Sequence, residues 1–543
     1  LPWAFLILAA LALAALWPVI PSQFASWDDS EQIEANQYLL PPSFEGLGKR
    51  WAEPYMNIYI PLVHTVWFAV AWMAGENPDA PVRALNAWPF KLTNLLIHIA
   101  TSTVVYCVLR KLFHARWLPL LGAALYCLHP LQVESIAWAS GLKDLQLGLF
   151  GALCILFYLG DPARAFYLSP RSYALAVVAM VCACLSKPTA LVLPAMLLVI
   201  DLAITRRSAK ELLSRLMPFA ILGIACAVNA RRVQPAVDFG IELSLLDRVL
   251  IPLHSLAFYF FKLIWPTQLA FDYGMNWHTL LGSTRVYVAW IVPAVLAVAA
   301  FAMRKRAPLI AVGLVMAIIP IAPVSGIVIF DYSYYSITSD HYLYLPMLGV
   351  SIAVVALLRC VPLRAAYVAA AVSLCALGTL ACIQARTWRT QRSSVEHTLM
   401  VNPRSFSSYS VLAVLEVAEA RGDLAKLSLA ETYARKALEI RPGNARSLNM
   451  LANVLAAEGR FEEALTEIDR ALVQSPNDPQ YHLAKAGILG ELHRGEEAIQ
   501  ELRVVLRFDP DHRLANELVQ KWDKTIRTTV PASQKSTAAG ALR

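Results

Sequence analysis

Apolar runs of membrane length follow one another through most of this chain, separated only by short charged breaks, and they stop near Thr387. With 57% hydrophobic and 16% charged residues, the chain has more apolar surface than a water-soluble core could hide. It therefore reads as a multi-pass membrane protein. Beyond Arg392 the polar residues return in a helical pattern, so a second, water-soluble domain follows the first.

The net charge of +8 does not point to nucleic acid. The basic residues of the first domain cluster in short loops between apolar runs, which is the pattern of membrane orientation and not of a groove for phosphodiesters. All nine cysteines lie in the apolar part and read as small core hydrophobes. Cys182-Ala-Cys184 has no histidine or carboxylate nearby in sequence, so neither a structural disulfide nor zinc is expected. Run 1–20 lacks a signal-peptide cleavage pattern and is expected to be a retained anchor.

Eleven runs can cross: 1–20, 90–109, 117–131, 143–160, 173–186, 190–205, 217–230, 284–303, 307–325, 342–358 and 365–384. Two further stretches, 58–75 and 249–266, are expected to lie on the outer surface. With neither crossing, Arg110, Lys111, Arg116, Arg164, Arg171, Arg206, Arg207, Lys210, Arg215, Arg304, Lys305, Arg306, Arg359 and Arg364 all fall in cytoplasmic loops. The N-terminus is then cytoplasmic and the soluble domain outside. Asp28, Asp29, Glu31, Glu34, Glu134, Asp144, Asp238, Glu242, Asp272, Asp331 and Asp340 all fall at or near the outer face, where any chemistry is expected.

The soluble part repeats itself. Pro442, Pro476 and Pro510 are 34 residues apart, as are Ala430, Ala464 and Ala498, and Leu438, Leu472 and Leu506. A 34-residue period with paired helices is the tetratricopeptide signature. The copy beginning at Pro403 carries five extra residues, expected near Ala425 to Leu429, and Asp511 to Lys524 reads as a closing helix. Such arrays commonly bind a peptide or partner protein, although a purely structural cap is the alternative. The polar tail 528–543 is expected to be disordered.

Adjacent carboxylates, Asp28 and Asp29, stand just beyond the first apolar run. An acid pair at a lipid boundary can reach a substrate that is half lipid and half polar, though an acidic first turn of a helix is the plainer explanation. Other polar positions fall near the same face: His129 and Glu134, Lys143 and Asp144, Lys187, Asp340 and His341, and Tyr342 and Tyr344. Lysines there can snorkel, and the tyrosines can form an interfacial belt.

Trp27-Asp-Asp29 with Ile33 and Asn36, Leu128-His-Pro-Leu-Gln-Val-Glu-Ser135 with Trp138 and Lys143-Asp144, Leu185-Ser-Lys-Pro188, and Ser339-Asp-His-Tyr-Leu-Tyr-Leu-Pro346 make a recognisable set. Joined to the repeats, they resemble the transmembrane and tetratricopeptide-repeat O-mannosyltransferase family of the GT-C glycosyltransferase superfamily. The fold implied is all-α: a polytopic domain of about 11 transmembrane helices over 1–386, a connecting helix at 387–402 and an α-solenoid over 403–527.

The activity implied is transfer of a sugar from a polyprenyl-phosphate carrier to an acceptor hydroxyl, that of a protein brought by the repeats, with inversion. One carboxylate would take the hydroxyl proton, with Asp29 preferred over Asp28. Lys143, Lys187 and His341 would stabilise the leaving phosphate. Where the family commonly has arginine after the aspartate, this chain has His341, so a fixed cation becomes pH-dependent. Glu134 and His129 would orient sugar or acceptor, with membrane lipid and the lipid-linked sugar as partners and no metal or other cofactor required. No asparagine sits in an Asn-x-Ser/Thr sequon, which favours a bacterial inner membrane with the repeats in the periplasm. Two other readings compete: modification of a cell-surface glycan or lipid, and a non-catalytic membrane scaffold that displays the repeats.

Overall fold

The computed structural model describes residues 2–25, 27–34, 36, 38–75, 84–164, 166–205, 208–234, 243–281, 283–508, 510 and 512–529. Among them the structure is all-α, without a β-strand. Two compact units appear, Leu1–Asn402 and Pro403–Arg543. Arg206, Arg207, Asp238 and Glu242 lie outside the described residues, as does the tail from 530 onward.

In the first unit a helix falls on each of the eleven apolar runs. Among the described residues, seven helical segments are long and apolar enough to cross a bilayer by length and composition, including Trp88–Phe113, Ala209–Val233 and Leu363–Thr387. Trp117–Leu128, Pro170–Cys184, Pro308–Val324 and Pro346–Leu358 are shorter apolar helices. The outward faces carry large apolar side chains such as Leu6, Ile221, Phe301 and Val372, all exposed. A soluble monomer would not tolerate that much exposed hydrocarbon, whereas lipid does.

Two helices begin and end at the same end of this bundle. Asp29 accepts a hydrogen bond from Lys91, which opens the Trp88–Phe113 helix, so the intervening Pro61–Ala74 helix turns back without traversing the bundle. Leu245–Ile264 behaves likewise: Ile251 packs in one cluster with Ile337, while the Leu263 carbonyl meets His129 Nε2. Arg110 and Lys111 close the Trp88–Phe113 helix, about 30 Å from Lys91 at 1.5 Å per residue, so they sit at the opposite end of the bundle from Asp29.

The second unit pairs Phe406–Ala420 with Leu424–Ile440, Ala445–Ala457 with Phe461–Gln474, and Pro479–Glu491 with Gly495–Phe508. The helix Arg513–Thr529 closes the array and runs through Thr528, where the polar tail was expected to begin. The five extra residues do not form one insert. The first helix of the first pair has 15 residues against 13 in the later pairs, and the second has 17 against 14. Each helix absorbs part of the excess because lengthening a helix adds backbone hydrogen bonds that a longer loop would leave unmade.

Ala430, Ala464 and Ala498 occupy one equivalent position and are each fully buried, where the paired helices pack. Ala464→Leu should destabilise the repeat unit by about 1–3 kcal/mol through overpacking. The measurement is the urea midpoint of the repeat unit in the full chain; an unchanged midpoint would show spare room at that contact.

Candidate active site

The acid pair splits into two different environments. Asp29 is fully buried and accepts four hydrogen bonds: from the backbone N–H groups of Ala25 (3.0 Å), Ala139 (3.2 Å) and Ser140 (2.7 Å), and from Lys91 Nζ (3.4 Å). Lys91, also fully buried, donates in addition to the Ala137 carbonyl at 2.6 Å. Asp28 faces the other way, with its side chain 40% exposed and one oxygen 2.7 Å from Lys143 Nζ. Gln32 Nε2 approaches the same oxygen at 3.4 Å.

The reason lies in local structure. A π-helical turn, Ser30–Glu34, follows the pair, and neighbouring side chains on a helical backbone point about 100° apart, so one carboxylate enters the bundle while the other stays at its surface. Two of the donors to Asp29 are supplied by a tight turn at Ala139–Gly141, where Gly141 presses on the Ser135 carbonyl so closely that any Cβ would collide. Asn94, one helical turn beyond Lys91, donates to the Trp138 carbonyl at 2.8 Å and holds that turn in place.

Next to the Asp28–Lys143 pair is a second one. Lys187 Nζ is 2.5 Å from Asp144 Oδ1 and 5.3 Å from the centre of the Tyr342 ring. Asp144 Oδ2 is buried with no partner among the described residues, and so is Trp138 Nε1, whose ring carries Lys143 at 4.7 Å. A narrow cleft is lined by Asp144, Lys187, Thr189, His341 and Tyr342, with Leu147, Pro320, Val324 and Leu345 as its apolar walls. A second hollow, beside Trp27, is lined by Gln23, Trp388, Thr390, Gln391 and Ser394.

Behind the cleft, Glu134 Oε1 meets His341 Nδ1 at 2.5 Å and the Ser339 hydroxyl at 2.6 Å, and Oε2 accepts from the Asp340 N–H at 3.2 Å. Burial and the nearby Asp340 push the Glu134 carboxyl well above its ordinary range. Burial, then Lys187 and Lys143, hold the His341 imidazole well below its own. Both directions favour the uncharged form of each group, so these surroundings do not support the pH-dependent cation expected at His341.

Of the positions singled out in the sequence, Asp28, Lys143, Asp144, Lys187, Glu134, Asp340, His341 and Tyr342 gather here. His129 does not, because its Nδ1 accepts from the Leu131 N–H and its Nε2 lies against the Leu263 carbonyl, which makes it a local cap. Nor does Tyr344, which is buried against His98 and the Gly148 backbone. Asp29, the carboxylate preferred in the sequence as base, has its oxygens filled by four donors, whereas the Asp28 side chain stays 40% exposed. Lys91, Ser339 and Tyr273 were missed. The spacing of Lys91, Asn94 and His98 on one face of an otherwise apolar run was the available signal for the first.

Comparison with known proteins gives two kinds of match. A tetratricopeptide-repeat family model matches residues 423–488. The Protein O-mannosyl-transferase tmtc2 of Xenopus laevis is 26% identical over 186 residues, 32% of this chain and 20% of that protein. The human TMTC2 protein of the same name is 24% identical over 168 residues, 29% of this chain and 18% of that one. The TPR repeat-containing thioredoxin TTL4 of Arabidopsis thaliana is 37% identical over 65 residues, 12% of this chain and 10% of that protein. The chain thus aligns with about a fifth of the length of the O-mannosyl-transferases it matches. An all-α unit rich in membrane-length helices, joined to tetratricopeptide repeats, is the class the fold defines. Within that class the chain is similar to the transmembrane and tetratricopeptide-repeat O-mannosyltransferases.

Two outcomes follow for the buried carboxylates. Asp29→Ala strands Lys91 without its counter-charge and should cost about 3–5 kcal/mol, seen as a large drop in melting temperature; a small drop would mean Lys91 finds another acceptor. Asp340, which accepts from Tyr273 at 2.7 Å, is pushed up by burial to about 7 despite Tyr273 and Lys262. Its folded value exceeds the unfolded one of about 4, so the folded chain keeps the proton longer and stability falls as pH rises from about 4 to about 7. Asp340→Asn should flatten the melting temperature across that window, and a curve parallel to that of the unaltered chain would exclude this role.

Proposed function

We propose that the chain is an integral-membrane glycosyltransferase that moves a sugar from a polyprenyl-phosphate carrier to an acceptor hydroxyl, a protein serine or threonine, on the non-cytoplasmic face, with inversion at the anomeric carbon. The observation that carries the reading is the division of the acid pair: Asp29 locked into the scaffold and Asp28 open beside two lysines. Similarity to O-mannosyl-transferases supports it.

In the step itself the acceptor oxygen attacks the anomeric carbon from the side opposite the phosphate. Its proton passes to Asp28, whose rotamer Lys143 fixes at 2.7 Å. The bond from that carbon to the phosphate oxygen breaks, and both its electrons leave with the polyprenyl phosphate. Lys187 stabilises the charge gained by the leaving oxygen, while Asp144 holds Lys187 and offers its unpartnered Oδ2 to a sugar hydroxyl. Asp340 fixes the loop through Tyr273, and the Glu134–His341 pair presents a neutral donor or acceptor to the cleft. The apolar cleft wall suits the prenyl chain. The repeats recruit the acceptor protein, and the enzyme resides in a bacterial inner membrane with cytoplasmic N-terminus and periplasmic repeats.

The test uses membranes holding the full chain, supplied with radiolabelled polyprenyl-phosphate mannose and a serine/threonine-rich peptide. Asp28→Asn should lower turnover on the order of 10² to 10⁴ fold while leaving the melting temperature near that of the unaltered chain. Full turnover in Asp28→Asn would remove the proposed base.

A further inference from the structure

The first loop buries a cation that the cleft does not use. Arg50, on the Phe44–Ala52 helix, is 8% exposed, and its Nε and Nη1 are buried without an acceptor among the described residues. Its guanidinium lies 4.9 Å from the centre of the Tyr38 ring and 4.5 Å from that of Tyr55. The Tyr55 ring meets His64 edge-on at 5.9 Å, and His64 meets Trp67 at 5.2 Å. Both ring nitrogens of His64 and the indole N–H of Trp67 are also buried without partners.

Aromatic faces soften the burial of a guanidinium but accept nothing from its N–H edges. A buried charge of this kind is unfavourable until an anion meets it, and the planar fork of arginine matches two oxygens of one phosphate. The surroundings indicate where that phosphate comes from. Phe44, Trp51, Met56, Trp72 and Met73, all exposed, stud the same pair of helices and the turn between them. Indoles and large apolar groups at this density, on a hairpin that does not traverse the bundle, belong at a lipid–water interface.

We propose that Arg50, framed by Tyr38, Tyr55, His64 and Trp67, binds the phosphate of a membrane lipid of net negative charge and so seats residues 38–75 in the interface. The site stands apart from the transferase reading, and its test involves no sugar transfer.

The full chain in neutral detergent is given phosphatidylglycerol, phosphatidylcholine or inorganic phosphate, one at a time. Native mass spectrometry reads the retained ligand, and a melting curve reads stabilisation. The unaltered chain should retain phosphatidylglycerol and melt higher with it. Arg50→Met should bind that lipid on the order of thirtyfold more weakly and gain no stability from it, and Arg50→Lys should fall between. Without lipid, Arg50→Met should melt at or above the unaltered chain, because an unpaired buried charge is gone. Equal retention by Arg50→Met, an equal response to inorganic phosphate or phosphatidylcholine, or an Arg50→Met chain that melts far lower or fails to fold would overturn the proposal.

Discussion

The Asp29 carboxylate ties together three parts of the chain that are far apart in sequence: the first loop, the opening turn of Trp88–Phe113 and the Ala139–Ser140 turn. A carboxylate and an ammonium removed from water need bonding partners to offset their desolvation, and here both have them. Asp29 has four donors, and Lys91 has a carbonyl as well as the carboxylate. Because three of the four donors to Asp29 are rigid backbone groups, the tie fixes positions to within a hydrogen bond. Asp28, Lys143 and Trp138 are placed by it.

From that fixed point the cleft is built outward in bonded pairs. Asp28 meets Lys143, Asp144 meets Lys187, and the Glu134–His341 pair closes the back. Each ionic partner is held by another, which lowers the reorganisation needed when charge develops on a reacting group. The lysines that the sequence would allow to snorkel are instead nearly buried in these pairs, at 7% and 8% exposure for Lys143 and Lys187.

The two units solve different solvent problems. The first satisfies its backbone inside helices and turns its apolar side chains outward, as lipid permits. The second buries alanines at the helix crossings and covers its outside with ion pairs such as Arg460–Glu463 and Arg494–Glu497. Exposed pairs of that kind add little stability, but they keep a repeat array soluble.

Much of this was legible in the sequence because it depends on periodicity and composition. The apolar runs specify the helices, since a buried or lipid-facing backbone has to bond to itself; the 34-residue interval specifies the paired repeats; and the clustering of basic loops marks one end of the bundle. The roles of individual polar residues were not legible. Asp28 and Asp29 are adjacent and chemically identical in one dimension, and only the packed chain decides which is surrounded by donors and which is open. The same holds for His129 and Tyr344, drawn into local bonding away from the cleft, and for Lys91 and Arg50, whose importance comes from burial. Hydrogen-bond partners and desolvation are properties of three-dimensional neighbours, so tertiary structure alone assigned them.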